Sequence, residues 1–263
     1  MIAISIILSY NLHMLKICGL TKTTLLDYPG KVAATIFLGG CNFRCGFCHN
    51  ASLALFDLYS QSATINNTAV ALISESEIFD FLEKRKNILQ GVCISGGEPT
   101  LQKYLPDFIQ KIKSYGLSIK LDTNGYNADM LSSLLNDNLL DMVSMDIKCS
   151  KDKYSSITEI NGLDISRIEK SINLLCDASN KINVEFRTTI VDEFFTEQTF
   201  HDIGKWISSY NNSDIVTYYL QAYIDSENTI KKGFHSPTEA QLLAYLNIIR
   251  SYIPNSYIRG ENL

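Results

Sequence analysis

The chain has 263 residues, 46% of them hydrophobic, which is enough to bury a sizeable core in one large α/β domain or two small ones. A formal net charge of −5, with no basic run longer than that in Glu83-Lys84-Arg85-Lys86, argues against a surface built to neutralise nucleic-acid phosphates. The apolar start from Met1 to Leu8 lacks a basic flank and is far below the roughly 20 residues of a membrane span, so neither a signal peptide nor an anchor is expected and the chain is read as cytoplasmic.

Patterned sequence begins at Leu15-Lys16-Ile17-Cys18. Residues 1–13 are therefore expected to be an extension outside the domain, with translation starting at Met14 and one domain spanning 14–263. In chain order, apolar runs rich in Val, Ile and Phe predict strands at Val32–Leu38, Val92–Ser95, Leu117–Leu121, Met142–Met145, Val184–Ile190 and Ile215–Leu220. Helices are predicted between them. Ser74-Glu75-Ser76-Glu77 is a capping box ahead of Ile78, Phe79 and Leu82, and Leu101, Leu105, Phe108, Ile109 and Ile112 form one apolar stripe. The basic run at Lys84–Lys86 falls at the end of the first of these, where cations suit the helix dipole. Asn127 is placed to cap a helix carrying Leu131, Leu134 and Leu135. Ser236-Pro237-Thr238-Glu239 reads as an N-cap, an N1 proline and a capping-box Glu before Leu242 and Leu246. The stretch from Ala51 to Ile73 has the least pattern and is expected to be a partly helical cover.

About six βα units predict an α/β fold of the partial TIM-barrel type, with the chemistry on loops at the strand C-termini. No low-complexity linker or internal repeat divides it. The seven cysteines are an odd number. Cys18, Cys93, Cys149 and Cys176 lie scattered in apolar contexts and read as small buried residues in a reducing compartment.

The other three stand together in Gly39-Gly40-Cys41-Asn42-Phe43-Arg44-Cys45-Gly46-Phe47-Cys48-His49-Asn50, directly after the first predicted strand, with C-x3-C-x2-C spacing. Three thiolates on a tight loop suit three corners of a [4Fe–4S] cubane and leave the fourth iron open to a ligand. A structural zinc site needs four closed ligands; His49 is a poor fourth because it directly follows Cys48, and no second Cys pair completes the set. Three unrelated core cysteines remain the bland alternative, disfavoured by the glycine-rich loop that carries them.

Other candidates end neighbouring strands. Ile94-Ser95-Gly96-Gly97-Glu98-Pro99, read alone, is a plain turn, but it ends a strand in register with the cysteine loop. Asp122-Thr123-Asn124-Gly125 and Ser144-Met145-Asp146-Ile147-Lys148 end the next two, where an Asx turn and a surface ion pair are the default readings. Arg187 lies in a strand and points either to the interior or to the barrel exterior, and Gln221 stands just past the last predicted strand.

With Phe47 at the aromatic position of C-x3-C-x-(aromatic)-C, the sequence resembles the radical S-adenosylmethionine superfamily. The resemblance implies that the open iron chelates the amino and carboxylate groups of S-adenosylmethionine and that Phe47, Gly96, Gly97, Glu98, Asp122, Asn124, Lys148, Arg187 and Gln221 surround this cofactor. Glu98 and the two glycines would receive its amino group, and Lys148 its carboxylate. By likeness to the glycyl-radical activating enzymes of the superfamily, the side chains of Asp122, Thr123 and Asp146, with the carbonyl of Ser144, would hold a monovalent cation, Na or K. Gln221 stands where some members have a histidine that touches the ribose. No catalytic side chain beyond the cluster and cofactor is implied.

From about Leu15 onward the chain also resembles the subgroup of anaerobic ribonucleoside-triphosphate reductase activating proteins. The resemblance rests on Leu26-Asp27-Tyr28-Pro29-Gly30-Lys31, Met145-Asp146-Ile147-Lys148, Phe186-Arg187-Thr188-Thr189 and a terminal Arg259-Gly260, besides the segments above. It implies an oxidoreductase that takes hydrogen from a glycine of a partner glycyl-radical enzyme and is reduced by a flavodoxin or ferredoxin type donor, with no nucleic-acid or membrane partner. Pyruvate formate-lyase activation, a small-molecule reaction as in deazaguanine or cofactor biosynthesis, and a non-catalytic iron–sulfur protein are the alternatives.

Overall fold

The computed structural model describes residues 15–58, 64–65, 68–69 and 71–260. The expected extension at 1–13 lies outside them.

Strand alternation organises the fold. On β2 (Ala33–Leu38), Ala34, Ile36 and Leu38 are fully buried towards the helices, while Thr35 and Phe37 face the other way. The pattern repeats on β5 (Gly91–Gly96), β6 (Ser118–Thr123), β7 (Met142–Asp146), β8 (Asn183–Ile190) and β9 (Thr217–Ala222). Their outward residues, such as Val92, Ile94, Ile119, Leu121, Val143, Phe186 and Leu220, form the core against the helices. The inward ones include Ser95, Lys120, Asp122, Ser144, Glu185 and Arg187, so the concave face is polar and charged.

These strands lie side by side in parallel in the order β2-β5-β6-β7-β8-β9, with β10 (Ser256–Ile258) beyond β9 and an antiparallel β1 (Ile17–Thr24) beyond β2. Among the described residues the sheet's two edges do not pair with each other, so the barrel is partial, as expected. Each of the six predicted strands is present. β9 starts two residues later than predicted, leaving Ile215 exposed and placing Gln221 inside the strand rather than past it. Sequence pattern missed the edges: β10 is only three residues long, and the exposed half of β1 lacks apolar alternation. Part of the unpatterned cover is a short helix, α1 (Ala51–Ala54), and a ribbon of β3 (Thr64–Ile65) and β4 (Thr68–Ala69).

The crossovers are helical where the sequence says so. Ser74 caps α2 (Glu75–Arg85) with a complete capping box, and Asn127 caps α4 (Ala128–Asn136) through Met130 N at 3.3 Å. Leu105, Phe108, Ile109 and Ile112 on α3 (Leu105–Lys113) are buried against the sheet, each contributing roughly 1.5–3 kcal/mol by burial. Three further helices, α5 (Tyr154–Thr158), α6 (Ile165–Ala178) and α7 (Glu197–Ser208), complete the outer layer. One start differs. The last helix, α8 (Glu239–Arg250), is capped by Thr238 in a box with Gln241, because the Ser236 hydroxyl is engaged by the Tyr223 carbonyl and cannot cap. Among the described residues no helix is long and apolar enough to cross a membrane.

Candidate active site

β2 ends at Leu38, and the chain turns at once into the three-cysteine loop. The loop is stitched to its surroundings by backbone: Gly40 N donates to Leu53 O at 2.8 Å, Arg44 N to Thr158 O at 2.9 Å, and Cys48 N to Cys45 O at 3.0 Å. The Arg44 guanidinium ties the same loop through the Phe43 carbonyl at 2.8 Å. All three thiols line one cavity of about 490 Å3 at the C-terminal rim of the sheet. They are unbridged, Cys45 buried and Cys41 and Cys48 half-buried. Burial pushes the Cys41 thiol up to about 12 and that of Cys45 to about 11, and raises Cys48 too, while the Lys148 ammonium pulls all three down. Among the described residues no three Cys, His, Asp or Glu side chains converge tightly enough for a single metal ion. Three thiols standing around an open space fit a larger group held at three corners.

The glycine-rich segment closes on this loop. Gly97 N donates to Leu38 O at 2.8 Å and Glu98 N to Gly40 O at 2.7 Å. Gly96 has φ of +127°, and a Cβ on Gly97 would stand 2.1 Å from the Gly40 carbonyl oxygen, so side chains are excluded where the two backbones touch. Both glycines line the cavity. Glu98 does not. Its carboxylate is fully buried on the far side and accepts from Asn124 N at 2.6 Å, Thr123 Oγ1 at 2.8 Å and Thr100 N at 3.1 Å. The expectation that this side chain meets an incoming ammonium is corrected: it organises the third strand's turn, and only the backbone of the segment faces the cavity. Burial raises its carboxyl, and those donors pull it back.

Asp122, Asp146, Lys148 and Arg187 meet on the concave wall. Arg187 Nε reaches Asp146 Oδ1 at 2.5 Å and its Nη1 lies 3.5 Å from Asp122 Oδ1, while Lys148 Nζ lies 2.9 Å from Asp146 Oδ2. Register explains the meeting, since Asp146 pairs with Arg187 across β7 and β8 and Asp122 with Ser144 across β6 and β7. Burial raises the Asp146 carboxyl, but Arg187 and Lys148 outweigh it and hold the group well below the usual carboxylate range; Asp122 is lowered too, Arg187 and Lys120 outweighing its burial. Arg187 is thus interior, and the Asp146–Lys148 pair belongs to the cavity. No Asx turn forms at Asp122; Gly125 N turns to Thr123 Oγ1 instead.

The remaining expectations divide. Asn124 lines the cavity beside the cysteine loop, its Nδ2 donating to Asn42 Oδ1 at 2.8 Å. Gln221 lines the opposite wall. Phe47 lines it too, with its ring packed among Phe194 and Phe234 at 6.1 and 6.3 Å. Ser144 is fully buried below, donating to Glu185 Oε1 at 2.6 Å, and is absent from the cavity wall.

Three groups escaped sequence reasoning. Lys120 is ion-paired with Asp122; a charge two residues before another on a strand is the available signal, since both must share a face. Arg259 reaches from the chain's last described turn to Glu185 at 2.7 Å and lies over the Tyr219 ring at 3.9 Å, giving the terminal Arg-Gly element a role at the barrel floor. Asp27, from the Leu-Asp-Tyr-Pro-Gly-Lys element, lines the cavity and accepts from Thr35 Oγ1 at 2.5 Å.

A partial α/β barrel with three thiols on the loop after its first parallel strand, opening onto a charged interior, defines an iron–sulfur enzyme whose cluster leaves one corner for a ligand. The sequence profile of the Radical SAM superfamily matches residues 35–207, and the chain belongs to that superfamily, whose cofactors are a [4Fe–4S] cluster and S-adenosylmethionine. A Methanocaldococcus jannaschii protein, provisionally named a glycyl-radical enzyme activating enzyme, is 32% identical over 94% of this chain and 96% of its own length. The pyruvate formate-lyase-activating enzyme of Clostridium pasteurianum is 31% identical over 54% of this chain and 57% of its own. Among solved structures, QueE from Escherichia coli shares the fold with a TM-score of 0.56 at 14% identity, covering 94% of each chain.

Proposed function

We propose that this chain is the activating enzyme of a glycyl-radical enzyme and that its partner is the anaerobic ribonucleoside-triphosphate reductase. The observation that carries the chemical reading is the single cavity onto which the three thiols, the Gly96-Gly97 backbone and the Lys148–Asp146–Arg187 network all open. Full-length likeness to the M. jannaschii relative supports activation, and the shared motifs from Leu26 to Gly260 support the reductase as partner.

In this reading Cys41, Cys45 and Cys48 hold the cluster. When bound and reduced, such a cluster would supply the one electron needed for reductive cleavage of S-adenosylmethionine, the chemistry by which hydrogen would be taken from the partner's glycine. The chain's own residues bind and orient. The backbone at Gly96 and Gly97 receives the cofactor's amino group and Lys148 its carboxylate, while Arg187 keeps the two aspartates ionised and in place. Phe47, Asn124 and Gln221 bound the nucleoside part. The seven unbridged thiols support the reading of a cytoplasmic protein, whose proposed electron donor is a flavodoxin or ferredoxin type protein.

Anaerobic reconstitution with iron and sulfide, reduction with dithionite and addition of S-adenosylmethionine should yield 5′-deoxyadenosine. Adding the reductase should then give a glycyl radical by EPR, and adding pyruvate formate-lyase should not. A radical on the lyase alone would transfer the assignment to that partner, and turnover of a small molecule with no protein partner would overturn activation altogether. Cys45→Ala should lose both bound iron and cofactor cleavage; an active Cys45→Ala enzyme would refute the cluster.

A further inference from the structure

We propose that this enzyme needs no sodium or potassium ion at its S-adenosylmethionine site, because the Lys120 ammonium, together with Arg187, occupies the place in front of Asp122 that the superfamily resemblance reserves for that ion. The inference rests on the reading of the cavity as a cofactor site.

Lys120 and Asp122 are two apart on β6, so both side chains face the interior. Lys120 is only 2% exposed; its Nζ is bonded to Asp122 Oδ1, with the Cys93 sulfur 4.0 Å away. Arg187 Nη1 approaches the same oxygen, and Ser95 Oγ donates to the other at 2.9 Å. Asp146 is saturated in the same way by Arg187 and Lys148. The two remaining expected ligands are Thr123 and the Ser144 carbonyl. The Thr123 hydroxyl is engaged by Glu98 and by Gly125 N at 3.1 Å, although the residue lines the cavity, and Ser144 is fully buried and absent from the cavity wall.

A hard cation needs several oxygens converging on one point, each with a lone pair to give. Here the carboxylate oxygens already face ammonium, guanidinium or hydroxyl donors, and the Thr123 hydroxyl is engaged by Glu98. Admitting a free ion would also push Lys120 off its carboxylate while leaving it buried, which low-dielectric surroundings penalise heavily. A tethered cation therefore replaces a diffusible one.

The test compares cluster-loaded enzyme in tetramethylammonium buffer with the same enzyme after addition of potassium or sodium. The wild-type KM for S-adenosylmethionine, read from 5′-deoxyadenosine formation, should agree within about twofold between the two salts. Lys120→Met, which keeps the length and removes the charge, should show a KM raised about tenfold or more without potassium and restored by it. Sodium NMR line broadening on the cluster-free protein supplies a readout independent of activity: saturable broadening is expected for Lys120→Met and not for the wild type. A wild-type enzyme that requires potassium or binds sodium saturably would overturn the proposal, as would a folded Lys120→Met chain indifferent to both ions. If Lys120→Met fails to fold, the wild-type arms decide alone. Absence of cofactor cleavage in every salt would instead sink the proposed function, with the sodium measurement still judging this inference.

Discussion

Arg187 is the cation that two half-buried carboxylates share, and its worth depends on pH. Asp122 and Asp146 are held below the usual range, so their contribution to stability is present above the unfolded carboxylate value, about 3.9, and is lost as pH falls through the lower folded values. Unfolding free energy should therefore be level near neutrality and decline below roughly pH 4. Arg187→Met strands carboxylates in the interior and should cost roughly 3–5 kcal/mol at pH 7, shrinking as pH drops and the carboxylates protonate. Urea unfolding at several pH values checks this, and an equal penalty at pH 3 and pH 7 would contradict it. Glu98 offers a contrast, because its partners are neutral donors. Removing it in Glu98→Ala leaves Asn124 N and the Thr123 hydroxyl unpaired and should cost about 2–4 kcal/mol in urea unfolding, with Glu98→Gln recovering part of that.

Elements set where these residues stand. Six strands were legible because alternation of apolar outward residues with polar inward ones has a local period that survives without knowledge of neighbours. Helix starts were legible where side chain and backbone lie within one turn, as at Ser74 and Asn127. The start of α8 was misread because the competing bond of Ser236 goes to Tyr223, outside the local window. Thr238→Ala should accordingly lower stability by about 1 kcal/mol in chemical denaturation. Ser236→Ala should leave α8 helicity unchanged by NMR chemical shifts, since its hydroxyl bonds the Tyr223 carbonyl instead.

At the scale of the molecule, the described sheet ends in two edges of different make, β1 carrying only an isolated bridge from Ile17 to Ile73 on its outer side. β1 is antiparallel with an irregular register, and β10 has three residues, whereas β5 to β8 are each paired on both sides. Native-state hydrogen exchange should show β5 to β8 opening only with global unfolding and β1 and β10 opening at lower free energy. Equal protection across the sheet would mean that the edges are held by more than their ladders. The Arg259–Glu185 bond ties the β10 end to β8 and should make β10 the better protected edge of the two.

The amino-acid sequence by itself determined the three-thiol loop, the order of βα units and the address of the cavity, because ligand spacing, strand period and capping are local properties of a few neighbouring residues. Only the tertiary structure decided what each charge faces. Asp146 and Arg187 are 41 residues apart, and Glu185 and Arg259 are 74 apart. Their meetings depend on the register of parallel strands, which no short window of sequence encodes. That is why Glu98 turned out to serve the fold, why Arg187 proved interior, and why the pairing of Lys120 with Asp122 went unread.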